Sequence, residues 1–264
     1  MCQNVFIKTK EEWKEEFLNF YFHHDVNKPS YKEYAKFAYG YIKQDSLFRY
    51  RAGNDRDLEN LEKGIVPFTA PVGFNDEFDS ELYANLQNIF PAENSIHDLQ
   101  PTLDKLYETL KKETFIACFT ESFDNVLMWA HYANNNKGFC VEYRMEDLRM
   151  YFQDNIFPVI YKDLPPIAGG WMIYNKQLVH KQMLIKTDDW KYENEWRIII
   201  KGDANDKYAL RSGPKAKSVF IGCAAEDDLR SRLNEICKNA NIEIYEMYAC
   251  HECKKLRCRK YSTQ

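Results

Sequence analysis

The sequence lacks most of the features that classify a chain at a glance. No apolar run approaches the roughly 20 residues that cross a bilayer, so no membrane partner is expected. The amino terminus, MCQNVFIKTKEEWKEEF, turns charged at once and has no apolar centre of a secretory signal, which makes the cytoplasm the expected compartment. A net charge of −4 leaves the chain without the overall basic excess of a nucleic-acid binder, although a local basic groove stays open. Neither GxGxxG nor GxxxxGK[ST] occurs, which removes the common phosphate-cradling loops. HExxH is missing too, and of the six histidines only His23 and His24 are adjacent. Repeats, low-complexity stretches and linkers are absent, so residues 1–264 read as one domain. A regular βαβ alternation is also missing, which argues against a doubly wound sheet.

What the chain does have is 45% hydrophobic residues, enough for a sizeable core, and many Tyr and Phe, which fill cores and line ligand clefts. Trp13, Phe17, Phe20 and Tyr21 recur at helical spacing. A helical layer is therefore expected over residues 1–45, broken near Asn27–Ser30. An α+β core follows over 46–248. Leu47–Arg51 reads as its first strand, 57–66 as a short helix, and 67–79 as loop. Residues 98–112 read as an amphipathic helix, 115–119 as a strand, 126–133 as a helix and 138–143 as a strand. Strands are also expected at 159–161, 196–200, 219–221 and 242–247, with helices at 165–188 and 225–239. Cys118, Cys140 and Cys223 sit in apolar runs and read as buried thiols. Residues 249–264 hold Lys254, Lys255, Arg257, Arg259 and Lys260, and read as a solvated basic tail. Cys250, Cys253 and Cys258 supply too few ligands for a closed zinc site, so no metal is expected.

The strongest chemical signal lies in Trp190–Arg197, read as one strand on which a cleft is centred. Alternation would put Glu193 and Glu195 on one face, with Arg197 beside them. Two carboxylates so close raise the pKa of at least one unless a cation intervenes. An exposed Glu–Arg ladder explains the same pattern more simply. Other segments favour a site. Thr120 and Ser122 end a buried strand, where sites tend to be built. Arg49 and Arg51 share a face of the first strand, and each could grip a phosphate. Trp129, His131 and Tyr132 crowd one short helix. Phe74–Asp79 is an acidic loop between aromatics, suited to a capped turn or a closing loop.

The blocks LFRYR, NLEKGIV, GFNDEFD, ACFTES, LMWAHYANNNKGFCVEY, VIYKD and DWKYENEWRI, in that order over residues 46–223, resemble a widespread bacterial family of unknown function. That family is grouped by fold with the ADP-ribosyltransferases. The resemblance implies an α+β fold with a split, mixed and largely antiparallel sheet, a helical N-terminal layer and helical insertions. It also implies NAD as the substrate, with nucleic acid or protein as the acceptor, in a toxin or phage-defence effector. Glu195 would then stabilise the developing ribosyl cation and Glu193 would orient or deprotonate the acceptor. Arg49 or Arg51 would grip the pyrophosphate, with Thr120 and Ser122 on the hydroxyl strand. Tyr50 or Trp129 would stack the nicotinamide, and His131 and Tyr132 would border it. A non-catalytic nucleotide- or partner-binding module on the same fold is the alternative. A hydrolase that pairs the two carboxylates with His131 would need all three to converge.

Overall fold

A computed structural model describes residues 8–23, 39–76, 78–80, 100–162 and 180–262. The architecture is α+β. Twelve strands are described, ten of them in one mixed sheet: β1 (Ser46–Arg51), β2 (Ile65–Thr69), β3 (Thr114–Thr120), β4 (Phe139–Arg144), β5 (Ile156–Pro158), β8 (Glu195–Lys201), β9 (Tyr208–Ser212), β10 (Ser218–Ile221), β11 (Glu243–Cys250) and β12 (Lys255–Lys260). β6 (Ile160–Tyr161) and β7 (Ile185–Lys186) form a separate parallel pair. The helices are α1 (Lys10–His23), α2 (Asp55–Glu62), α3 (Gln100–Glu113), α4 (Val126–Tyr132), α5 (Met145–Tyr151) and α6 (Asp227–Ala240).

The sheet runs β12-β11-β10-β4-β1-β3-β2-β9, antiparallel except where β10 meets β11. Its unusual element is β3. Along one edge β3 pairs with β8 over its whole length, from Thr114 opposite Lys201 to Thr120 opposite Glu195. The other edge is divided. Ile116 bridges Thr69 of β2, and Thr120 bridges Phe48 of β1. The sheet therefore parts between β1 and β2, and a gap opens along β3. Apolar side chains fill both sheet faces. A large cluster includes Leu47, Phe68, Phe115, Trp196 and Leu233, and a smaller one gathers Phe48, Tyr50, Trp129, Phe220 and Met247.

Local chemistry sets the elements that border the gap. Asn54 caps α2 by accepting from the Asp57 N–H at 3.0 Å. Asn125 caps α4 by accepting from the Leu127 N–H at 2.9 Å, and its amide donates to the Tyr192 carbonyl at 2.8 Å. After α4 the chain turns through Asn134, Asn135 and Asn136, all at positive φ, which Asn tolerates better than other side chains. It reaches Gly138, where a Cβ would lie 2.0 Å from the Arg51 carbonyl. Only glycine lets β4 begin so close to the end of β1.

Several expectations are corrected. Residues 65–69, split between a helix end and a loop in the sequence reading, form β2. Proline usually weakens a strand, but β2 pairs fully with β9 while meeting β3 at a single bridge, so Pro67 is accommodated. Ile185–Lys186 is a strand where the end of the 165–188 helix was expected, and Asp188–Glu193 is a 3-10 turn where the Trp190–Arg197 strand was expected to begin; residues 165–179 of the expected helix lie outside the described residues. The break at Asn27–Ser30 also lies outside them. The C-terminal segment is not a free tail, because Lys255–Lys260 pairs antiparallel with β11 and buries Leu256. Cys140 is buried as expected, Cys118 is half-buried, and Cys223 is exposed. No helix among the described residues is long and apolar enough to cross a membrane.

Candidate functional site

The gap in the sheet opens into a cavity of about 180 Å³. β1 contributes Phe48 to Arg51, β3 contributes Ile116 and Cys118 to Thr120, and α4 contributes Met128 and Tyr132. Thr69, Phe74, Asn75 and Asp79 add to the wall, as do Lys186, Glu193 and Glu195.

Glu193 and Glu195 do meet, though not as adjacent pleats of one strand. Residues Asp188–Glu193 form a 3-10 turn, Asn194 is left-handed at φ 42°, and β8 begins only at Glu195. The left-handed residue turns the chain so that both carboxylates reach the Lys186 ammonium. Its Nζ lies 2.7 Å from Glu193 and 3.4 Å from both Glu195 and Asp79. Arg197, fully buried, completes the group. It donates through Nε to Glu195 Oε1 at 2.8 Å and through Nη2 to Glu195 Oε2 at 2.9 Å. Two further bonds reach Asp79, at 2.7 and 2.5 Å, and one reaches the Met183 carbonyl at 2.6 Å. Three carboxylates thus face two cations, all buried.

That imbalance splits the carboxylates. Burial opposes ionisation of Glu195, but Arg197 and Lys186 outweigh it and hold this carboxyl below its usual range. Asp79 is held low in the same way, against burial, chiefly by Arg197. Glu193 goes the other way. Burial and then the Glu195 charge push it up, only partly offset by Lys186 and by the Tyr132 hydroxyl, which donates to Glu193 Oε1 at 2.5 Å. The Lys186 ammonium pays a burial penalty, but the Glu195 and Asp79 charges overcome it and raise its pKa. Two carboxyls are therefore held toward ionisation, while Glu193 gives up its proton less readily than an ordinary glutamate.

The two first-strand arginines part company. Arg51 is tied to Asp57 of α2 through Nε at 2.9 Å and a second contact from Nη2. Arg49 has no carboxylate partner among the described residues. Its Nη2 donates to the Pro67 carbonyl at 2.5 Å, and its Nη1 is shut off from solvent without a hydrogen-bond acceptor among the described residues. Burial, then the Arg51 charge, pulls its pKa down to about 10. A cation whose guanidinium is partly enclosed without a counter-ion is costly, and this one borders the same cavity as the carboxylates.

Of the other expected residues, Tyr50, Thr120 and Tyr132 line the cavity. The Thr120 hydroxyl donates to the Glu193 carbonyl at 2.5 Å, so it fixes the turn that carries Glu193. Tyr50 donates to the Ser122 carbonyl at 3.0 Å and presents its ring edge-on to Trp129. Three residues lie elsewhere. Trp129 is fully buried behind Tyr50, with its indole N–H donating to the Phe123 carbonyl at 2.7 Å, so it cannot stack on a ligand. Ser122 bonds the adjacent Asp124. His131 is exposed on the outer side of α4, beside Tyr192, and does not join the carboxylates. The hydrolase reading fails on that point. Asp79 and Lys186 are the residues the sequence did not single out as a pair. The only signal for Asp79 was its acidic loop, and Lys186 sat inside a segment read as helix. Among the described residues no cluster of His, Cys, Asp or Glu is arranged to hold a metal ion.

No curated protein and no solved structure matches the chain. Residues 128–198, the segment from α4 into β8 that carries Tyr132, Lys186, Glu193, Glu195 and Arg197, match the family described as "Protein of unknown function (DUF2971)".

Proposed function

We propose that the cavity binds the nicotinamide end of NAD and transfers its ADP-ribosyl group to an acceptor. The observation that carries this reading is that one cavity is lined both by Arg49, a half-buried cation with no carboxylate partner among the described residues, and by a carboxylate cluster built on Glu195. NAD near its scissile bond has the matching polarity, with phosphates on one side and a cationic ring on the other. The volume is below the roughly 300–1,000 Å³ of clefts that enclose a drug-sized ligand. It accommodates one end of a dinucleotide rather than the whole.

In this reading the Arg49 side chain, which borders the cavity, turns its guanidinium outward to grip a phosphate oxygen, which gives the enclosed Nη1 an acceptor. Glu195, held ionised by Arg197 and Lys186, faces the positive charge that develops on the ribose as its C1′–nitrogen bond breaks. Nicotinamide leaves with the bonding electron pair. The acceptor nucleophile bonds to C1′, and its proton passes to Glu193, whose raised pKa suits it to general-base work. Tyr50 walls the ring pocket.

One observation favours a binding module instead: both Glu195 oxygens are already engaged by Arg197. The test is nicotinamide release from NAD, measured beside Glu195→Gln. Release by the wild-type chain, reduced about 100-fold or more in the variant, is expected from the loss of one preorganised electrostatic group. A melting temperature raised by NAD without release assigns the binding module. Neither release nor a thermal shift overturns both readings.

A further inference from the structure

The β11–β12 hairpin borders the sheet four strands away from β1 and has no part in the cavity. We infer that its outer face is a docking surface for single-stranded nucleic acid. Residues 254–260 read KKLRCRK, five cations without an acid, in a chain whose net charge is −4. Strand alternation sorts them. Leu256 turns inward and is buried, whereas Lys255, Arg257 and Arg259 share the opposite face and are exposed. They recur about every 6.8 Å along the strand. Only Arg259 has a carboxylate partner, Glu246 at 2.7 Å; Lys255 and Arg257 have none among the described residues.

The partner class follows from the residue set between these cations. Tyr248 of β11 lies directly opposite Arg257 in the register and is 39% exposed. The Arg259 guanidinium sits 5.6 Å from the Tyr248 ring. An exposed ring flanked by two arginines offers base stacking within a phosphate-binding row, which is how sequence-tolerant single-strand surfaces are built. Charge alone would protect a sheet edge from pairing, but that role calls for no exposed tyrosine between the charges. If the reading of the cavity above holds, the docked strand is the acceptor.

The test is fluorescence anisotropy of the full chain with labelled single-stranded DNA and RNA oligonucleotides, without NAD, across a salt series. Three phosphate contacts predict a log–log salt slope near −2, or about 20-fold weaker binding between 50 and 200 mM salt. Lys255→Glu with Arg257→Glu should abolish binding, and Tyr248→Ala should weaken it about tenfold. Both changes are on exposed side chains, and unchanged melting temperatures confirm intact folding. Equal binding by the charge-reversed variant overturns the inference. So does equal competition by polyglutamate or by phosphatidylserine vesicles, which would mark a generic polyanion surface. Because no NAD is present, these outcomes stand apart from the nicotinamide assay.

Discussion

Two arginines border the same part of the sheet under opposite conditions. Arg197 is fully buried and spends its donors on Glu195, Asp79 and the Met183 carbonyl. Arg49 is half-buried, with one enclosed donor idle and no carboxylate in contact with it among the described residues. The first arrangement is what a buried charge needs for stability, since every group it neutralises would otherwise be stranded. The second is a standing cost that folding alone does not explain. The contrast separates residues that neutralise one another from a residue whose charge the described side chains leave uncompensated.

Breaking the first arrangement should have the largest effect. Arg197→Ala strands two buried carboxylates and is expected to cost about 3–5 kcal/mol, read as a lower urea midpoint. A loss below 1 kcal/mol would mean that Lys186 alone can neutralise the cluster. The same experiment on Arg49 should come out differently. Arg49→Met removes a poorly compensated charge and keeps the bulk, so stability should move by no more than about 1 kcal/mol. Ligand-induced stabilisation by NAD should vanish in that variant. A large stability loss would instead show that the Pro67 contact makes Arg49 structural.

The smallest and most informative effect concerns pH. Glu193 has a raised folded pKa, so its contribution is fully present below the ordinary glutamate value and is lost as pH rises through the folded value. Asp79 and Glu195 are lowered, so theirs is present above the ordinary carboxylate values and lost as pH falls through the folded ones. Glu193→Gln should flatten the decline on the alkaline side of the stability profile and leave the acid side unchanged. An acid-side change would mean that the proton sits on Glu195 instead.

Much of this was legible in the chain before its fold. Alternation located β11, an apolar run located β3, and the resemblance named Arg49, Thr120 and Glu195, all of which line one cavity. What sequence could not show has specific causes. Asp79 lies in a loop, which carries no period, and its partner Arg197 is 118 residues away. Lys186 ends a two-residue strand too short to register. β2 was hidden by Pro67, and β12 by its own charge, because only Leu256 marks its buried side. Trp129 was read as a ligand-stacking ring because size and aromaticity look the same in a core and in a cleft.

The divided edge of β3 has one more consequence. Between its bridges at Ile116 and Thr120 the strand has a neighbour on the β8 side only. Antiparallel pairing alternates the direction of main-chain groups, so at least one residue there points its N–H and C=O into the cavity. Part of the cavity wall is thus written in peptide groups, which no point substitution except proline erases. Relatives could exchange most of the lining side chains and still offer an entering molecule the same main-chain edge.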